Sequence, residues 1–481
     1  MRLSKHLDFG RSIPCVLAAL TAVSLPATGR ARAQTLPGAA SAPSTAPAPA
    51  DFNGSVPAGE VSPTPLELSL DEAIQRGLKN NLGVILSGTQ TATARAQRLS
   101  ELQSLLPSVD FKATEAVMQT DLPAQGLRIP GFPTVIGPFG YTDLRASLSW
   151  SLVDVSSLRN YLAAKHNFAA AQLSADDARN LVILTVGNAY LLVLADEAEV
   201  SSAQAQVATA KISLDQAVAS HSAGTSPRLD ELRARVDYQT IQQRLIVAQD
   251  ALAKDKLALA RAIGLPLQQA FDLTDQVPYL PFDNLNAQAL IQQAEGNRKD
   301  LASLVEQTAA AEEQRKAASA ARYPTLKFNG DYGDIGVNVA HSHGTGNASA
   351  ALSVPLFKEF ELRGQAQQAQ AQLDTDRARL SDKKAQIEAD VRDALLDISS
   401  AQQLVQVARS SRDLANEALG EAQERYKAGV SDNLAVSQAQ QSVAQADQKY
   451  VSSLYRDNAA KLGLARALGE AGNYKSYLGG K

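Results

Sequence analysis

The chain has 481 residues, 45% hydrophobic and 5% aromatic, with one cysteine and a formal net charge of −4. A single cysteine excludes an intrachain disulfide framework and any multi-cysteine zinc or iron–sulfur centre, and 46 basic against 50 acidic residues exclude the basic footprint of a nucleic-acid-binding protein. A charged fraction of 20% and a mean hydropathy of −0.16 argue against a bundle of membrane helices, yet leave membrane strands open.

Residues 1–33 read as a secretory signal: Arg2, Lys5 and Arg11 precede a short apolar run, and Ala31-Arg32-Ala33 supplies the small-x-small cleavage pattern. Cys15 stands at the start of that run behind Ile13 and Pro14, a poor context for lipidation, and it leaves with the signal. The mature chain then has 41 basic and 49 acidic residues, net −8. Residues 34–65, mostly Ala, Pro, Ser and Gly, bury too little to offset their ordering entropy and are expected to form a disordered linker.

The rest is one unit written twice, residues 66–275 and 276–472, followed by a short tail at 473–481. Ala223, Gly224, Ser226 and Leu229 match Ala428, Gly429, Ser431 and Leu434 at a constant offset of 205, and both copies end in LARA-[IL]-G. Leu106-Pro107 matches Tyr323-Pro324 at offset 217, whereas SLSWSL at 147–152 matches ALSVPL at 351–356 at offset 204. The change locates a 13-residue insertion in the first copy, in a Pro- and Gly-rich stretch expected to be a loop.

Each copy opens with a helix of about 35 residues, 70–105 or 286–322, ended by Pro107 or Pro324. Period-two segments follow. In the first copy Val109, Phe111 and Ala113, then Leu144, Ala146, Leu148, Trp150 and Leu152, alternate with polar residues. In the second, Leu326, Phe328, Gly330 and Tyr332, then Ala348, Ala350, Leu352, Val354 and Leu356, do the same. Such segments suit tilted membrane strands, and equally a half-buried hairpin on a helical core. A very long helix comes next: 365–419 holds neither Gly nor Pro, which is about 80 Å of helix. Leu373, Leu380, Ile387, Val391, Leu395 and Ile398 form its apolar stripe. Each long helix turns at Gly224 or Gly429, where Ser226 or Ser431 can cap the returning helix and Pro227 suits its first position.

Four membrane strands cannot close a barrel, and open edges are not tolerated in lipid. Closure would need several chains: two would give eight strands, three would give twelve.

The order helix, Pro, strand pair, long helix, AG turn and LARA-[IL]-G, given twice, resembles the TolC outer-membrane efflux protein family. The motifs that carry the resemblance are LSLDEAIQRGLKNN at 68–81, SLSWSLVD at 147–154, ALSVPLFK at 351–358, SHSAGTSPRLDELRAR at 220–235 and RYKAGVSDNLAVSQAQ at 425–440. The resemblance covers about residues 66–470. It implies a mainly α fold with membrane β: a homotrimer with a twelve-stranded transmembrane barrel, four strands per protomer, continuing into a long α-helical coiled-coil barrel. It further implies an exit duct of a multi-component efflux or type I secretion system in the outer membrane of a Gram-negative bacterium, in contact with outer-membrane lipid. Its partners would be a periplasmic adaptor and an inner-membrane pump or secretion ATPase, with no enzymatic activity, no cofactor, no metal and no nucleic acid. The family's tip turns fall on Gly224, Thr225, Ser226, Leu229 and Asp230, and on Gly429, Val430, Ser431 and Leu434. The glycines also fit plain turn chemistry. Ala435 and Gln438 stand where some members carry acidic residues that ring the constriction.

The alternative from another class is a periplasmic adaptor, for which one hairpin between small β-domains would be expected; a coiled-coil scaffold would leave the strand pairs unexplained. The apolar stretch 181–195 is short for a membrane span and reads as buried helix core. His341 and His343 form an HxH without a third ligand, best read as a solvated loop. Neither GxGxxG nor a P-loop occurs.

Overall fold

The computed structural model describes residues 52–275, 279–281, 286–431 and 433–478; the expected signal, residues 34–51 of the expected linker and 479–481 lie outside them. In the first repeat a short strand β1 (Leu66–Leu68) leads into α1 (Leu70–Asn80) and α2 (Leu82–Gln103), then strands β2 (Ser108–Asp121) and β3 (Val135–Val153), the long helix α3 (Val155–Ser222), α4 (Arg228–Ile263) and a short strand β4 (Phe271–Leu273). The second repeat gives α5 (Ala287–Asn297), α6 (Lys299–Ala320), β5 (Thr325–Gly336), β6 (Ser342–Ser353), α7 (Glu359–Lys427), α8 (Asn433–Ala467) and the terminal α9 (Tyr474–Leu478). β1 and β4 pair in parallel, which ties the two ends of the first repeat together.

The opening helix of each repeat is two helices, not one. Ser69 starts α1 with a capping box: its hydroxyl accepts from the Glu72 N–H while the Glu72 carboxylate accepts from the Ser69 N–H. The helix stops at Asn81, fully buried, whose Oδ1 accepts from the Gly83 N–H to start α2 and whose Nδ2 donates to the carbonyls of Phe52 (2.7 Å) and Ala262 (3.2 Å). Arg298 takes this place in the second repeat, between α5 and α6, and donates to Asp300 and Asp390. Burial raises the pKa of the Asp300 carboxyl, but Arg298 and Lys383 outweigh it and hold the group below the usual carboxylate range.

Residues 52–65 depart from the disordered linker expected for them. Phe52 is buried, and backbone N–H groups of Val56 and Ala58 donate to Asn80 and Gly264 (both 2.9 Å), while Gly54 accepts from Leu82. Nor is the described part of the expected tail, 473–478, without tertiary contacts: Tyr474, Tyr477 and Leu478 are buried, and the Tyr474 hydroxyl donates to Asp71 at 2.7 Å.

β2, β3, β5 and β6 form one antiparallel sheet in that order. Its register lines up one polar row, Asp110–Ser147–Asp331–Asn347, beside an apolar row on the opposite face, Val109–Leu148–Gly330–Ala348. β2 and β6 are edges. The strands differ in extent from the alternating segments: β3 begins at Val135, so part of the expected insertion loop is strand, and β6 ends at Ser353, short of Val354 and Leu356.

α3 and α7, with 68 and 69 residues, are each about 100 Å long. On α7 the expected stripe is inward: Leu373, Ile387, Val391 and Ile398 are buried, with Ala394, Ala401 and Ala408 continuing it towards the turn. In α3, Val182, Ile183, Val186, Tyr190, Leu191 and Val193 form the centre of the main apolar core with α1, α4 and α8. The apolar stretch 181–195 is therefore core. Gly187 permits that packing, since a Cβ there would stand 2.8 Å from Leu462.

Candidate functional site

The two helical hairpins end side by side, and both turns are built by the same backbone device. Gly224 (φ +74°) and Gly429 (φ +72°) occupy the left-handed region that glycine accepts without steric cost. The Gly224 N–H donates to the His221 carbonyl (2.9 Å) and the Thr225 N–H to Ser220 (2.9 Å); Gly429 and Val430 donate to Tyr426 and Arg425 in the same pattern (both 3.0 Å). Nothing lies within 4 Å of where either glycine's Cβ would be.

Ser226 does not cap α4. Pro227 is the cap residue, without a side-chain bond, and the buried Ser226 hydroxyl has no hydrogen-bond partner among the described residues. The fixed φ of Pro227 and the Asp230 N–H bond to the Pro227 carbonyl (3.1 Å) start the helix instead. The Ser226 carbonyl serves the turn, standing 3.2 Å from His221 Nδ1.

Thr225, Ser226, Leu229 and Asp230 of the first tip and Gly429, Val430 and Ser431 of the second line one cleft of about 840 Å³. Leu434 lies in an adjoining groove of about 660 Å³ between α4 and α8, which it shares with Leu229, Val236 and Arg244. Asp230 is buried, 3.8 Å from Arg233, whereas Leu229, Val430 and Leu434 are exposed. Tyr426 also lines the cleft; burial, then the Asp230 charge, pushes its phenol pKa up. Sequence reasoning passed over Tyr426, although the offset of 205 places it opposite His221 and so marks it as a tip residue.

Above the tips, polar bonds cross the seam between the hairpins beside the apolar side chains Leu232, Val236 and Ile241. Ser437 of α8 donates to Asp237 of α4, Gln440 to Ser213 of α3 at 2.9 Å, and Ser202 of α3 to Asp447 of α8 at 3.1 Å. Two of the three bonds are accepted by carboxylates, Asp237 and Asp447, and all of these polar groups can be hydrated when the seam parts. His341 closes the β5–β6 turn, with its Nδ1 2.9 Å from the Asn338 side-chain oxygen; His343 is not in the loop expected for it but in β6, paired with Ile335.

Residues 74–265 and 290–470 match the family described as outer membrane efflux protein. Among curated relatives, the toluene efflux pump outer membrane protein TtgC of Pseudomonas putida is 22% identical over 419 residues, 83% of each chain. The pyoverdine export outer membrane protein OpmQ of Pseudomonas aeruginosa is 24% identical over 426 residues, 85% of each chain. Of solved structures, the Campylobacter jejuni CmeC outer membrane channel superposes with a TM-score of 0.76 at 19% identity, over 85% of this chain and 89% of that one. The match runs through both hairpins and both strand pairs, and the adaptor alternative finds no support in it.

Proposed function

Since the chain belongs to the outer membrane efflux protein family, an efflux channel of the outer membrane, we propose that it works as a homotrimer whose helical tips receive cargo from a periplasmic adaptor. The four-stranded sheet with two free edges carries this reading. Lipid leaves no partner for unpaired backbone groups, and three copies pairing β6 of one protomer with β2 of the next make twelve strands and no edge. The apolar row then faces lipid, and the polar row with Arg145 and Asp331 faces the lumen.

The helices α3, α4, α7 and α8 continue the duct into the periplasm. Leu229, Val430 and Leu434, apolar yet exposed at the tips, are the surface for the adaptor, which links the duct to an inner-membrane pump or secretion ATPase. Opening follows at the seam between the hairpins, with α8 parting from α3 and α4 as water replaces the bonds of Ser437, Gln440 and Ser202. The task is passage rather than catalysis. Relatives named for toluene and pyoverdine favour small organic cargo over secreted protein. Gly224→Trp combined with Gly429→Trp tests the tips, because both sites open onto free space. Trimers should still reach the outer membrane while export is lost; export at the native level would overturn the tip assignment.

A further inference from the structure

The insertion in the first repeat is not consumed by the duct. β3 pairs with β5 only as far as Thr142, while residues 135–141 pair with β2 alone, from Tyr141↔Ala116 to Val135↔Asp121. A two-stranded ribbon about 20 Å long, at roughly 3.3 Å per residue, thus stands beyond the four-stranded sheet. The second repeat has no counterpart, since its strands are joined by the short turn 337–341. The connecting loop 122–134 is ordered by its own bonds: Leu122 donates to Thr134 and Leu127 to Leu122, each at 3.0 Å.

The ribbon's end is apolar. Leu127, Ile129 and Phe132 are 50%, 49% and 62% exposed, and Arg128 is the only charged residue from 122 to 141. An isolated two-stranded hairpin is marginal in water, and an exposed apolar patch of this kind marks an interaction surface. Phosphate-bearing lipid headgroups would call for several cations, and one arginine does not supply them. The ribbon's outer strand, β2, is also the edge at the proposed barrel seam, so its nearest neighbours are other copies of the chain. A bulge between Met118 and Thr120, opposite Gly137 at φ +113°, gives the ribbon a local bend and added twist.

We propose that the three ribbons of the trimer lean over the barrel and pack Leu127, Ile129 and Phe132 against one another, closing its outer mouth. This rests on the homotrimer reading. Twelve strands spaced about 4.8 Å and tilted about 40° enclose a radius of about 12 Å, so a ribbon of about 20 Å reaches the axis. One ribbon per protomer gives a three-fold contact there. The duct is then shut at both ends, by the periplasmic tips and by this apolar lid.

Phe132→Cys tests the lid, because Cys15 is the chain's one native cysteine and belongs to the expected signal. Mild copper–phenanthroline oxidation of outer-membrane vesicles should join two of the three thiols, placing about two thirds of the chains in disulfide dimers while the native mass stays that of a trimer. Ala113→Cys, in the barrel wall, should give none. In planar bilayers, Leu127→Ser with Ile129→Ser and Phe132→Ser should increase the open time of the channel. Trimers that yield no Phe132→Cys dimer would overturn the proposal. So would quantitative labelling by a water-soluble maleimide, which means tips apart in water, or labelling only by a lipophilic one, which means tips in lipid. A native mass other than a trimer's would instead remove the homotrimer reading beneath it.

Discussion

Gly469 lies against the peptide that joins α5 to α6, so close that a Cβ would come within 2.9 Å of the Asn297 carbonyl carbon and 3.0 Å of the Arg298 nitrogen. Gly264 repeats the relationship in the first half, with the Asn80 side chain and the Val56 carbonyl in the way. In each repeat the glycine that follows the returning helix, α4 or α8, thus seats on the break between the two opening helices.

Substituting either glycine by alanine should be costly, since both have positive φ, +74° and +73°. A loss of about 1–3 kcal/mol is expected from the backbone strain alone, read as a lower urea midpoint. Gly224→Ala shares the positive φ but meets nothing within 4 Å, so it should lose less than either.

Asp457 and Lys461 form an ion pair one turn apart on α8, 2.6 Å between nitrogen and oxygen and both 0% exposed. Lys461→Met leaves a buried carboxylate without its cation and should cost about 3–5 kcal/mol. Adding Asp457→Leu removes the stranded charge and should recover most of that loss, a difference that a double-mutant cycle in denaturant measures directly.

Stability of the first hairpin should fall with rising pH. Burial, then the facing Asp255 carboxyl on α4, raises the Asp196 pKa to about 7. The folded protein therefore holds this proton more tightly than the unfolded chain does. Its contribution is complete below the ordinary carboxylate range and is lost as pH rises through about 7. Proteolysis of the hairpin should be slower at pH 5.5 than at pH 8, and Asp196→Asn should remove most of that difference.

The two faces of β2 should answer differently to charge. Phe111 and Lys112 are adjacent and lie on opposite faces. Phe111→Arg puts a cation against hydrocarbon, at about 2–4 kcal/mol per chain near the bilayer centre, and should sharply reduce trimer in the outer membrane. Lys112→Gln, in the lumen, should leave its amount unchanged, as blotting of outer-membrane fractions would report.

Much of this architecture is readable in the sequence because it is written twice. A constant offset pairs Gly224 with Gly429, and period-two alternation finds all four strands. Other features depend on contacts that local pattern does not carry. The apolar periodicity of 70–105 runs straight through Asn81, and only the arrival of Phe52, Ala262 and Gly264 from elsewhere makes a break there favourable. Residues 52–65 look featureless because they are held by backbone hydrogen bonds, to which composition is blind. Pro and Gly mark 121–140 as a loop, yet 135–140 finds a partner in β2. At the tip, Ser226 has the chemistry of a cap, but the rigid φ of Pro227 begins the helix one residue later.

The most direct measurement is an electron-microscopic reconstruction of the protein extracted from outer membrane into nanodiscs. A three-fold particle with a closed twelve-stranded barrel, β6 of each protomer beside β2 of the next, is the predicted result. A monomer with a free four-stranded sheet, or a ring closed by any other number of chains, would contradict it.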